Sequence, residues 1–317
     1  MAGRSTESLD VITWGCAMSR FAIFAYLISL LMGACQSAST RTWELPADVK
    51  AKIVNGYEMA YIERGEGIPI VMIHGSLNDY RAFRVQLEPL GAKYHAIAVS
   101  LRHYYPERWD GKGGHFSERQ HVADLAEFIK QLNAGPVYVV GHSRGGVIAS
   151  LLAAKHPEAV RALVLAEPVL SRMLDESDPA ATRRQSQINK TLAILETGDI
   201  ERGLEFFIDG AAGPGAWKAR PELDRQMSRD NAWTLKGDQP DTQEHFKCHD
   251  ARRIDAPVLL VGGERSPPIF ARIMDALSPC LKRSERVVIP GASHPMNRMN
   301  PSFFDKIVLD FFARNRF

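Results

Sequence analysis

Apolar and polar positions along the chain alternate between two periods. Short apolar runs, many of them β-branched, recur at Ile70-Val71-Met72-Ile73, His95 to Val99, Val137 to Val140, 161–165, Pro257 to Val261 and 286–289. Between them lie stretches with helical spacing. These are Asp79 to Leu90, Ser117 to Leu132 (Val122, Leu125, Phe128 and Ile129 on one side), Val147 to Ala154, and a closing stretch. The closing stretch carries Phe303, Phe304, Ile307, Val308, Phe311 and Phe312 at a spacing that predicts core packing rather than a cofactor site. Glu58 to Glu63 alternates residue by residue and predicts a strand at a solvent edge. Strands alternating with helices predict the α/β class, with a mostly parallel sheet flanked by helices on both faces. From about 171 to 246 the strand signal vanishes. That region is helix-like and broken by Gly210, Gly213-Pro214-Gly215 and Pro221, so it reads as a helical insertion into a domain spanning 43–317. Trp217, Met227 and Trp233 are candidate pocket-lining residues within it, although each also suits packing inside the insertion.

Three of the apolar runs end in residues that carry chemistry. Val137 to Val140 stops at Gly141, then Ser143, then Gly145 and Gly146, and a helical run begins at Val147. A strand, a sharp turn and a helix with serine at the apex strain the serine backbone and bring strand and helix together. Side chains at Gly141 and Gly145 would collide there, and the serine Oγ is left beside the positive end of a helix. Ile70 to Ile73 runs into His74-Gly75-Ser76, and the 286–289 run into Pro290-Gly291-Ala292-Ser293-His294. A serine nucleophile needs a base within hydrogen-bond reach and backbone N–H groups aimed at the developing oxyanion. A late histidine and a loop before the serine could supply both.

These segments together resemble the α/β-hydrolase-fold superfamily, serine hydrolases with a helical cap. HGS at 74–76 is similar to that family's oxyanion loop, GHSRG at 141–145 to its nucleophile elbow, and PGASH at 290–294 to its histidine loop. The resemblance runs from about Ile53 to the C-terminus. It implies Ser143 as nucleophile, His294 as base, and an oxyanion hole from the backbone N–H groups of Ser76 and Arg144. His74 is then a hydrogen-bonding support for its loop. The acid departs from the common pattern: in Gly262-Gly263-Glu264-Arg265-Ser266, the slot where the family often holds aspartate is Ser266. Two glutamates remain. Glu167 ends the 161–165 strand, where some members such as haloalkane dehalogenases resemble this by placing their acid. Glu264 is the alternative. We take Glu167, since the third group only has to orient the histidine. The reaction implied is hydrolysis of a small ester, lactone or similar carbonyl compound. A carbon–carbon bond hydrolase and a non-catalytic ligand-binding protein of the same fold are the alternatives. A serine nucleophile argues against epoxide hydrolase and dehalogenase chemistry, for which the family uses aspartate.

Composition alters this picture little. The 317 residues are 45% hydrophobic with a net charge of +2 and no basic run to track phosphates, so a nucleic-acid partner is not expected. The expected partner is a small-molecule substrate. No phosphate-cradling G-x-G-x-x-G and no metal-ligand spacing occurs, so no cofactor and no metal are expected. His103, Tyr104 and Tyr105 follow the 95–99 strand and read as a solvated loop that could touch substrate. The N-terminus adds a second theme. Phe21 to Met32 is a short apolar run, preceded by Arg20 and followed by Gly33-Ala34-Cys35. It reads as a secretory leader with a lipoprotein-like cleavage site, better started at Met18 than at Met1. Residues 1–42 are therefore read as leader and tether, with a lipid anchor at Cys35 and a bacterial cell-envelope location. Cys248 and Cys280 are left either as a disulfide, allowed in an oxidising compartment, or as two buried thiols.

Overall fold

Eight strands build one sheet in the order β1-β2-β4-β3-β5-β6-β7-β8. The computed structural model describes residues 44–175, 177–238 and 246–316. The leader, the tether and Cys35 lie outside the described residues. The strands are β1 (Lys50–Val54), β2 (Tyr57–Arg64), β3 (Pro69–Ile73), β4 (His95–Val99), β5 (Val137–His142), β6 (Val160–Ala166), β7 (Val258–Gly263) and β8 (Ser284–Ile289). From β4 onward across the sheet every pairing is parallel, and β2 alone is reversed, pairing antiparallel with both β1 and β4.

The side-chain period of two divides each central strand between two cores. Val71, Ile73, Val139, Leu163, Leu165 and Leu260 face one of them, which is closed by the helices Glu118–Leu132, Arg144–Lys155 and Pro268–Leu277. Ile70, Met72, Val140, Val164, Leu259 and Val261 face the other. There Leu90 of Arg84–Gly91 and Phe304, Val308, Phe311 and Phe312 of Pro301–Arg314 cover them. Burial on both faces is why these strands read as continuous apolar runs. β2 is not the solvent-edged strand its alternation predicts. β1 lies outside it, and Ala60, Tyr61 and Ile62 are all buried.

Between β6 and β7 the chain leaves the sheet to form the helices Pro179–Glu196, Ile200–Ala212, Ala216–Ala219 and Glu222–Asp230 and the 3-10 segment Ala232–Asp238. Ile188, Leu192, Leu195, Leu204, Phe207, Ile208 and Leu235 give this insertion a core of its own. Trp217 is buried in that core and Trp233 packs against it, while Met227 packs into the main domain. The candidate pocket residues of the insertion are thus packing residues. A polar latch joins insertion to sheet. Buried Asp79 accepts from Asn231 Nδ2 at 2.7 Å and from Arg81, whose guanidinium also reaches Asp230 at 2.8 Å. Cys248 and Cys280 form a disulfide, each just ahead of the amino end of its strand, β7 or β8. Among the described residues no helix is long and apolar enough to cross a membrane.

Candidate active site

Ser143 sits between β5 and the helix Arg144–Lys155 with φ 56° and ψ −119°, a backbone region that L-residues rarely occupy. Close packing holds it there. A Cβ on Gly141 would lie 2.6 Å from the Gly145 carbonyl oxygen, and one on Gly145 would lie 2.2 Å from that of Ile73. Ser143 N–H donates to the Ala166 carbonyl at 2.9 Å, which ties the turn to the end of β6.

Glu167 follows directly and is itself bent into the left-handed region, at φ 44°. The bend turns its carboxylate along the carboxyl edge of the sheet. One oxygen accepts from Gly263 N–H at 2.8 Å, and the other lies 2.7 Å from His294 Nδ1. The opposite ring nitrogen, His294 Nε2, is 3.0 Å from Ser143 Oγ. A carboxylate can only accept, so Nδ1 carries the proton and Nε2 is left to accept from the serine hydroxyl. All three residues are buried, with Glu167 only 1% exposed. The ring of Phe270 stacks on His294 at 4.2 Å, and His142 Nε2–H donates to the His294 carbonyl at 2.8 Å. Burial, then the neighbouring His294, Arg298 and Arg220, keep the His142 ring well below the usual histidine range and hence neutral.

Glu264 is exposed and faces elsewhere, its carboxylate accepting from Gly291 N–H at 2.7 Å. It braces the histidine loop instead of touching the ring. Ser266 closes a tight turn, its N–H donating to the Gly263 carbonyl at 3.1 Å.

The 74–76 loop presses on the serine, since a Cβ on Gly75 would lie 2.8 Å from Ser143 Cβ. His74 holds that loop. Its Nε2 accepts from Leu101 N–H at 3.1 Å, and its Nδ1–H donates to the Gly75 carbonyl at 2.9 Å. Burial lowers its pKa to about 4, so at neutral pH it is an uncharged brace. Ser76 follows Gly75 in that loop, and Arg144 follows Ser143 as the first residue of its helix. The Arg144 guanidinium is buried, 3.2 Å from His121 Nδ1 and 3.4 Å from Tyr104 Oη.

The segment His103-Tyr104-Tyr105 is not a solvated loop. Tyr104 is 1% exposed and packs edge-on against His74, while His103 stacks on Trp109 at 5.1 Å. Tyr104 thus supports the 74–76 loop through His74, while Tyr105 lies beneath the Arg81 guanidinium. Phe270, His121 and the Gly263 N–H complete the surroundings. Nothing in the one-dimensional pattern marks them, because each reaches the site only through the tertiary fold. Among the described residues no group of three or more His, Cys, Asp or Glu side chains could hold a metal ion.

The same segments align with known proteins. A model of the alpha/beta hydrolase family matches residues 70–304, which spans the serine turn, Glu167 and His294. A 2-(acetamidomethylene)succinate hydrolase from Mesorhizobium japonicum is 24% identical over 258 residues, covering 78% of this chain and 89% of its own. A soluble epoxide hydrolase from Corynebacterium sp. is 28% identical over 281 residues, covering 82% and 96%. Among solved structures, an esterase from Rhodococcus sp. superposes with a TM-score of 0.69 at 17% identity, covering 84% of this chain and 99% of that one.

Proposed function

Because the chain belongs to the alpha/beta hydrolase family, we propose that it is a serine hydrolase acting on a small ester, lactone or similar carbonyl compound. The observation that carries this reading is the continuous relay from Ser143 Oγ through His294 to Glu167, at 3.0 and 2.7 Å. In this mechanism Ser143 Oγ attacks the carbonyl carbon as its proton passes to His294 Nε2. Glu167 stabilises the imidazolium without taking the proton. The negative charge on the carbonyl oxygen is held by the N–H groups of Ser76 and Arg144, the latter at the positive end of its helix. His294 then gives its proton to the leaving oxygen. Water, deprotonated by the same ring, releases the acyl group and restores the serine. The second reading is cleavage of a carbon–carbon bond by the same residues; it stays open because the Mesorhizobium relative, by name a 2-(acetamidomethylene)succinate hydrolase, is not named for an ester substrate. Turnover of a panel of p-nitrophenyl esters tests the first reading. Ser143→Ala is expected to lower kcat by about 10³-fold or more with the circular dichroism unchanged. Near-wild-type ester turnover in that variant rejects the mechanism.

We also infer export to a bacterial cell envelope, with Cys35 as a lipid-bearing N-terminus. The motif Gly33-Ala34-Cys35 after an apolar run motivates it, and the Cys248–Cys280 bond suits an oxidising compartment. Cys35→Ser is expected to release the protein from the membrane fraction or to block its processing. A mature chain that keeps residues 1–34 contradicts it.

A further inference from the structure

Beside the histidine loop lies a cavity of about 400 Å³, walled by the insertion on one side and by Ser293, Pro295, Arg298 and Met299 on the other. Ser293 and Pro295 are the chain neighbours of His294, and Ser293 Oγ donates to the Ala212 carbonyl of the insertion at 2.8 Å. The cavity therefore lies against the loop that carries His294, the residue that, in the reading above, delivers a proton to the leaving group. Its charged lining is unbalanced. Arg220, Arg265 and Arg298 face a single carboxylate, Asp224, which pairs with Arg298 at 3.1 Å. The nearby Asp209 is engaged by the backbone N–H groups of Gly215 and Trp217. Arg265 is exposed at the rim. Among the described residues Arg220 makes one side-chain hydrogen bond, to Ser228 Oγ at 3.2 Å, and no carboxylate pairs with it. Burial, and next the charge of Arg298, lower its pKa to about 9, the mark of a cation held without enough compensating anion. A guanidinium left so is matched by one planar, singly charged group that can accept two parallel N–H bonds.

We propose that this cavity binds a carboxylate carried on the leaving group, through Arg220 with Arg298 beside it, so that the enzyme prefers acyl esters of carboxylate-bearing alcohols or phenols. The proposal rests on the serine hydrolase reading, and its test separates the two. The probes are 3-(butyryloxy)benzoate and its uncharged match 3-(butyryloxy)benzamide. The carboxylate ester is expected to have the higher kcat/KM by about tenfold or more, as one charge-assisted hydrogen-bond pair allows. Arg220→Gln should collapse that ratio towards one, and Arg220→Lys should keep part of it. A ratio is insensitive to partial loss of folded protein. In parallel, calorimetry with 3-hydroxybenzoate and 3-hydroxybenzamide reads the cavity without catalysis, and the acid should bind about tenfold more tightly in the wild type only. Equal turnover of the two esters with equal or absent binding of the acid overturns the carboxylate site and leaves the hydrolase reading standing. Selective binding of the acid without turnover of either ester keeps the site and removes the ester-hydrolase reading.

Discussion

The two ends of the parallel strands are built on different principles. At the carboxyl ends of β5 and β6 the backbone is forced into the left-handed region twice, at Ser143 and Glu167, and buried polar side chains converge within 3.0 Å. Toward the amino ends of β7 and β8 the chain is fastened by the Cys248–Cys280 bond. One end holds strain and polarity that cost stability, and the other supplies covalent constraint. The lesson is that the strained backbone at Ser143 is maintained by the rigidity of the whole sheet. The clearest sign is Gly145, which packs so closely on β3 that the turn cannot relax without moving a buried strand.

If the two ends divide their tasks in this way, substitutions at each should affect different observables. The largest effect on stability is expected from Cys248→Ser with Cys280→Ser. Opening a crosslink that spans 32 residues releases about 3–4 kcal/mol of chain entropy into the unfolded state. Urea titration should show that loss, while kcat in the surviving folded fraction stays within about twofold of wild type. A large fall in kcat with unchanged stability would blur the comparison. The smaller effect has the opposite sign. Ser143→Gly removes the proposed nucleophile and also relieves the positive φ, so the protein should become more stable by about 1 kcal/mol while losing activity. A destabilised Ser143→Gly variant would mean that the turn is not strained.

Much of the sheet was legible because burial on both faces writes each parallel strand as an uninterrupted apolar run, as in Ile70 to Ile73. β1 was not, because its Lys-Ala-Lys start pairs at the edge of the sheet and carries little apolar signal. Ser143 and His294 could be named from the glycine spacings around them, since those glycines answer local steric demands. The choice between Glu167 and Glu264 turned on where each side chain points. That depends on a positive φ at one residue and a Gly291 N–H at another, neither written in the local pattern. The Cys248–Cys280 pairing depends on helix placement 32 residues apart, and the aromatic group at 103–105 on a loop packed above it.

The most direct test of the proposed relay is the rate at which a fluorophosphonate labels Ser143, read by mass spectrometry in the wild type, Glu167→Gln and Glu264→Gln. Labelling needs an activated serine but no particular substrate, so it is independent of the unknown specificity. An amide at 167 cannot balance the imidazolium and favours the wrong tautomer of His294. Glu167→Gln should therefore slow labelling by about 10²–10⁴-fold, with Glu264→Gln within about threefold of wild type. A slow Glu264→Gln beside a fast Glu167→Gln, or no adduct on Ser143 in the wild type, would contradict the relay.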